Sequence, residues 1–340
     1  MPPFVTTAVL VALTAAPSAE GTPSDAPPPL QQARRAVERG LAFVEQDAVK
    51  WREDRKCSTY HHGAMTVWVL SEARSQGYPV RAETLADQAK WARERLKDID
   101  KPRDARPGWN MVSTPAVYLA MTALTVPGQE AVPADELGRI AGHLVRHQEP
   151  DGSWAWSIAA AFNRPPPVFE SDEVVTLMAY LALGARVASG PDEKSAARKS
   201  REAAAAWLGK SGHGTSTQAT ALRLLRAVRE GRPPKEIEAE TGRLLGKQNG
   251  DGGWGQDNAL PSDAFATGQA LYFLSLAGVG RDREEVRRGV SFLVGSQKED
   301  GSWPMTSRAH PGEKVFTNPV PITYFGSSWA TLGLMRSLPK

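Results

Sequence analysis

Apolar positions recur along residues 31–340 in two alternating styles. One style puts a single apolar stripe on a charged segment, as Ala196, Ser200, Ala203, Ala204, Trp207 and Leu208 do among Lys, Arg and Glu; this spacing predicts an amphipathic helix. The other is apolar on nearly every side, as in the segment that opens at Thr215-Ser216-Thr217 and continues through Ala221, Leu222, Leu224, Leu225 and Val228. Six such pairs are predicted, over 31–46 and 62–77, 81–97 and 113–125, 134–148 and 171–188, 192–209 and 215–230, 233–247 and 262–277, and 282–297 and 323–337. With Gln46 and Gln297 taken as the first and last helix-end anchors, the mean repeat is about fifty residues, within the range that signals an array. A helix apolar all round needs cover on both sides, whereas an amphipathic one needs it on one. Two concentric rings satisfy both demands, so the pattern predicts an all-α closed double ring with the apolar helices inside.

The connectors carry a second pattern. QEPDGSW at 148–154, QNGDGGWG at 248–255 and QKEDGSW at 297–303 place Gln148, Gln248 and Gln297 six residues before Trp154, Trp254 and Trp303. Gln at a helix end can bond exposed backbone groups of the next turn. Asp-Gly makes a reversal needing positive φ, which points to Gly252 and Gly301, and Trp lays a broad flat surface over the joint. These are structural connectors. Read from Arg288-Gly289 through Phe292, Leu293, Gln297, Gly301 and Trp303, the last copy resembles the QW motif of squalene-hopene cyclases and related terpenoid cyclases. The resemblance, shared with protein prenyltransferases, implies an (α/α)6 toroid of six helical hairpins over residues 31–340. It extends to GGWGQDNALPSDAFATGQAL at 252–271, which is similar to the stretch leading into the DxDD acid motif of those cyclases. On that alignment the first Asp falls on Asp263, the catalytic central Asp on Phe265 and the last on Ala266. Protonating an alkene takes a carboxylic acid, and Phe cannot donate that proton. The chain also holds one toroid where those cyclases have two α domains. Prenyltransferases hold zinc with Asp, Cys and His, but Cys57 is preceded by Arg55 and Lys56 and lacks the Asp.

Composition narrows the picture further. With 41 Lys and Arg against 38 Asp and Glu the formal net charge is +3, and the charges interleave, as along residues 281–288. That is a solvated helix face and argues against a nucleic-acid partner. Cys57 is the single cysteine, which rules out an intramolecular disulfide and a multi-cysteine zinc site. Residues 1–19 carry no charged side chain and include the apolar run Val5 to Ala16, which predicts an export signal. Pro-rich residues 20–30 then serve as a linker, and no integral membrane span is expected once the signal is removed. The expected location is periplasmic or extracellular.

Candidate chemistry gathers where the inner helices begin: Ser58 to His62, Ser113-Thr114, Ser171-Asp172-Glu173, Thr215 to Thr217, Ser262-Asp263 and Tyr324 to Ser328. Ser, Thr and Asp at these places are first of all N-caps. In a closed ring they also converge, so Asp172, Glu173, Asp263, His61 and His62 form the candidate acid/base or divalent-metal-binding set. Their spacing matches no compact metal motif. Cys57-Ser58-Thr59-Tyr60-His61 is one residue from the C-x-x-C-H haem attachment motif, making Cys57 and His61 candidate haem contacts; otherwise no cofactor is indicated. His143 and His147 lie four apart without an HExxH context and read as surface or packing residues. Two function classes follow. One is a protein that binds an apolar terpenoid or prenyl molecule, or a partner, in its central cavity. The other is an enzyme using the rim acids and histidines on an isoprenoid or, by fold analogy, on a glycan.

Overall fold

The computed structural model describes residues 30–100, 113–155, 171–185, 191–258, 260–305 and 319–340. The expected export signal therefore lies outside the described residues, as does all of the linker except Leu30. Among the described residues there are twelve α-helices: α1 Leu30–Arg55, α2 Met65–Ser75, α3 Ala82–Arg93, α4 Ser113–Thr125, α5 Ala134–Arg146, α6 Asp172–Ala182, α7 Pro191–Lys210, α8 Thr217–Arg229, α9 Pro234–Leu245, α10 Ala264–Leu276, α11 Glu284–Ser296 and α12 Pro319–Ser337. Among the described residues the only β-pairing is two isolated bridges, Gln248 with Trp254 and Gly255 with Ser262.

The even-numbered helices form a closed inner ring. Helix α2 packs on α4, α4 on α6, α6 on α8, α8 on α10, α10 on α12, and α12 returns to α2. Odd-numbered helices lie outside, each against an inner partner. The physical reason is visible in α10, where every residue from Ala264 to Leu274 is buried, while outer α9 buries only Leu244 and Leu245. Helices α10 and α12 approach most closely through glycines. A Cβ on Gly268 would stand 2.3 Å from the Trp329 carbonyl oxygen, and one on Gly333 2.6 Å from that of Gly268.

The Gln–Trp connectors lock this arrangement. Gln148, Gln248 and Gln297 each donate to the carbonyl of the Gly in their own turn, at 2.8, 2.8 and 3.1 Å. Each also donates to a carbonyl of the next outer helix: Ser200 at 2.8 Å, Glu285 at 2.7 Å and Ala36 at 2.9 Å. The Trp154, Trp254 and Trp303 indoles donate back to the carbonyls of Leu144, Leu244 and Leu293 in the last turns of the outer helices. Their backbone amides donate to hydroxyls of the inner helices, Thr176, Thr267 and Ser327. Each turn thus joins three helices, and the third joins α11 to α1, closing the outer ring. Gly152, Gly252 and Gly301 adopt φ of 94°, 89° and 87°.

Several helix limits differ from the sequence-based expectation: α6 ends at Ala182 instead of 188, while α1 and α12 are longer than expected. Helix α1 runs on to Arg55 instead of stopping at Gln46, so Gln46 is an exposed mid-helix residue and no connector anchor. Nothing between 46 and 55 breaks a helix, and the apolar spacing of Leu41, Val44, Ala48 and Trp51 continues. Helix α12 starts at Pro319, earlier than expected, because proline in a first turn sacrifices no intrahelical bond. Tyr324 to Ser328 therefore lie inside it. Leu30, assigned to the linker, opens α1.

At the pole where the inner helices end, a buried charged network seals the ring. Glu72 is fully buried. It accepts from Arg336 at 3.0 Å, from Tyr272 at 2.9 Å and from Gln76 at 2.7 Å, and Trp68 donates to the Tyr272 hydroxyl at 3.0 Å. Such a pair adds little net stability but is costly to break from one side.

Candidate functional site: the leading ends of the inner helices

At the opposite pole the chain leaves α1 at Lys56, whose φ of 48° is unusual for a residue with a side chain, and enters α2 through one π-type turn, Tyr60–Ala64. Thr59 caps that turn, its hydroxyl accepting from the His62 amide at 3.1 Å. The tight entry sets His61 and His62 side by side, with Nδ1 atoms 2.5 Å apart. His62 Nε2 is 2.8 Å from Asp47 Oδ2. Its ring lies between Trp51, stacked at 4.3 Å, and Tyr324, stacked at 3.8 Å. His61 Nδ1 is also 3.0 Å from the Thr59 hydroxyl. Burial holds the His61 pKa well below the usual imidazole range, with His62 adding to the shift. Burial lowers that of His62 as well, against the opposing pull of the Asp47 carboxylate.

Beside the histidines stands an aromatic wall. Tyr60 faces Tyr118 of α4 at 6.2 Å and Phe325 of α12 at 5.8 Å, and Phe325 stacks on Phe265 of α10 at 5.4 Å. Burial pushes the Tyr60 hydroxyl up to about 12 and raises that of Tyr118, so both remain neutral phenols. The leading ends of four inner helices meet here, as a closed ring requires. Helices α6 and α8 meet through Glu173, which accepts from Arg223 and from the Gly214 amide, both at 2.6 Å.

The five sequence-predicted acid/base residues are accordingly spread over separate networks. His61 and His62 pair with each other and Asp47; Glu173 binds Arg223 and Gly214. Asp263 caps α10, accepting from the Ala266 amide at 2.8 Å and from Gln256 at 2.6 Å. Asp172 is exposed in the first turn of α6, where its charge suits the helix dipole, while Ser171 provides the cap. Phe265 is 2% exposed, its ring part of the wall. Cys57 is half-buried, with its thiol 3.7 Å from the Ser58 carbonyl oxygen. Tyr60, in the position of the missing second cysteine, belongs to the wall. Among the described residues no group of three or more His, Cys, Asp and Glu side chains is placed to hold a metal ion. A hollow of about 550 Å³ lies at the other pole, bordered by Ser71, Arg74, Ala89, Arg93, Pro127 and Glu130.

Asp47 and Trp51 went unnoticed in the sequence. The signal was there: residues four apart on one helix share a face, and that face continues the buried stripe of Val44 and Ala48. Ending α1 at Gln46 concealed it.

A closed ring of six helical hairpins is an α/α toroid. Residues 165–328 match the family described as the squalene-hopene cyclase C-terminal domain, and the chain has a squalene-hopene cyclase-like fold. Among solved structures, the type II terpene cyclase MstE from Scytonema in its apo form matches with a TM-score of 0.56 and 15% identity, over 91% of this chain and 98% of that one. A variant of MstE in complex with merosterolic acid A, its product, matches with a TM-score of 0.54 and 15% identity, over 90% and 97%. A protein from Actinoplanes matches with a TM-score of 0.52 and 17% identity, over 90% and 99%. No curated protein matches in sequence. At these identities the likeness extends to the fold alone. Because MstE is covered almost entirely by this chain, a single toroid does not by itself set a protein apart from terpene cyclases.

Proposed function

We propose that this toroid takes an apolar, isoprenoid-type molecule against the wall of Tyr60, Tyr118, Phe265 and Phe325, and that it does not start a cyclisation by the acid route of squalene-hopene cyclases. The observation that carries the proposal is the placement of Phe265. Where the resemblance puts the proton-donating Asp stands a buried phenyl ring stacked on Phe325. Aromatic faces favour hydrocarbon and cationic guests, but none of these groups is acidic enough to protonate an alkene. The three Gln–Trp turns are on this reading QW-type elements that hold the outer ring rigid around the site.

A sugar-binding role finds no support among the described residues, where every Trp is buried or half-buried and none offers an open stacking platform. We also propose export, on the uncharged segment 1–19; fusion of residues 1–30 to a periplasmic reporter tests it, and retention in the cytoplasm would refute it. No described helix is long and apolar enough to cross a membrane.

The central test is incubation of purified protein with squalene and with polyprenyl diphosphates, followed by mass spectrometry of the bound and released fractions. The expected result is saturable retention of unchanged isoprenoid. Cyclised product would overturn the loss of the acid step, and absence of any retention would overturn the ligand class.

A further inference from the structure

The contacts of His61 and His62 determine more than proximity. A carboxylate only accepts hydrogen bonds, whereas a neutral imidazole has one donor nitrogen and one acceptor. Both imidazoles are neutral near pH 7, since burial depresses both. Asp47 Oδ2, 2.8 Å away, requires the proton of His62 to sit on Nε2. That leaves His62 Nδ1 as a bare acceptor. His61 Nδ1, 2.5 Å from it, must then carry the proton of its own ring. The Thr59 hydroxyl oxygen, 3.0 Å from the same atom, already accepts from the His62 amide and fixes the pair in place. One consequence remains: His61 Nε2 is deprotonated, and among the described residues nothing donates to it. His61 keeps 7% of its surface exposed while His62 keeps none, so reagents reach the pair through His61. Its ring packs edge-on against Tyr60 at 4.9 Å, the member of the wall that adjoins α4 and α12.

We propose that Asp47, His62 and His61 form a hydrogen-bonded relay whose end, the lone pair of His61 Nε2, is a general base for an O–H or activated C–H group of an apolar substrate seated at the aromatic wall. The substrate class rests on the reading above; the relay does not. In the step, the substrate's O–H or C–H bond breaks, its electron pair stays on the substrate, and the new N–H bond forms at His61 Nε2. The resulting imidazolium, buried and otherwise costly, has its charge balanced through His62 by the Asp47 carboxylate, whose side chain is 23% exposed. An acid-oriented imidazole taking a proton at its far nitrogen is the logic of a hydrolase triad, here lengthened by one histidine. Among the described residues, the groups facing the pair are Asp47 and Trp51 from α1, Tyr324 from α12, and Thr59 and Tyr60 from the π-type turn and its cap, and Asp47 is the only carboxylate bonded to it. Asp47 is a positioning residue, and His61 the catalytic one.

The test needs no substrate, so its failure is distinguishable from failure of the ligand proposal. On the full chain with ¹⁵N-labelled histidine, imidazole nitrogen shifts near pH 7 report the tautomers. Expected are a protonated Nδ1 on His61 and a protonated Nε2 on His62. Diethyl pyrocarbonate then acylates bare imidazole nitrogens, with the modified site mapped by mass spectrometry. His61 is expected to react at Nε2, and D47A to slow this by about tenfold or more while the exposed His213 reacts unchanged. The near-isosteric D47N keeps a hydrogen-bond acceptor but no charge, so an intermediate rate is expected and separates the relay from a loss of packing. A protonated Nε2 on His61 would overturn the proposal, as would equal His61 rates in folded D47A, D47N and wild type.

Discussion

The proposed function turns on Phe265, whose ring packs on Phe325 where the resemblance to the cyclases puts the proton-donating Asp. Its neighbours keep their roles: Asp263 still caps α10, and Thr267 still receives the Trp254 amide. On the proposed reading, neither Phe265 nor Ala266, at the positions of the other two motif acids, can give up a proton. Because the ring is 2% exposed, Phe265→Ala should cost about 3–5 kcal/mol, whereas Asp263→Asn, which retains a capping side chain, should cost at most about 1 kcal/mol. Denaturant titration of the two variants checks the contrast, and equal losses would contradict the assigned roles. Histidine burial has a consequence of its own. His143 donates from Nδ1 to the Ile99 carbonyl and accepts at Nε2 from Ser113, and burial, followed by the nearby His147, pushes its pKa down to about 3 from an ordinary 6.5. The unfolded chain therefore binds this proton near 6.5 while the folded chain refuses it, so stability is full above that value and falls as the pH drops towards 3. His61 and His62 shift in the same direction. The unfolding free energy should fall steadily below about pH 6.5, by up to about 1.4 kcal/mol per pH unit for each group; an unfolding free energy that stays flat between pH 7 and 4 in denaturant titrations would contradict the buried neutral imidazoles.

At the scale of elements, the Gln–Trp turns and the caps were legible because their physics is local. Ser171, Ser216 and Asp263 each accept from an amide three residues on, a relation visible in any window of the sequence. The limits of α1 and α12 were not. Length depends on what tertiary packing sustains beyond the last strong signal, and the last turns of α1 are sustained by Ala48 and by Trp51 on His62. Missing them removed Asp47 from the candidate site. The turns also allow a sharp comparison between glycines. Gly301 and Gly278 share a positive φ, 87° and 80°, but a Cβ on Gly301 would lie 2.3 Å from the Arg39 carbonyl oxygen, while one on Gly278 would meet nothing within 4 Å. Gly278→Ala should cost about 1 kcal/mol from backbone conformation alone, and Gly301→Ala clearly more, since α1 must also move away from α11. Hydrogen exchange should show the extra loss in α1 for Gly301→Ala only. Equal protection in both variants would argue against the turn as the closure of the outer ring.

For the whole molecule, ring closure follows from which helices are apolar all round, and that much could be read before any coordinates. What holds the poles could not. Glu72 and Arg336 meet across 264 residues, and no local pattern distinguishes either from a surface charge. Likewise, five acid/base residues at helix starts were expected to share one hollow; the ring does gather the helix starts, but hydrogen bonding divides their side chains among separate partners. The two poles differ in kind: a buried ion pair holds one, and buried aromatic rings with the His61–His62 pair pack the other. On the proposed reading, the ligand sits at the aromatic pole. The most direct measurement is photo-crosslinking with a diazirine-bearing polyprenyl alcohol, with labelled peptides identified by mass spectrometry and excess squalene as competitor. Labels on the peptides carrying Tyr60, Tyr118, Phe265 and Phe325, lost on competition, are the predicted result; labels confined to the outer helices, or indifferent to squalene, would contradict it.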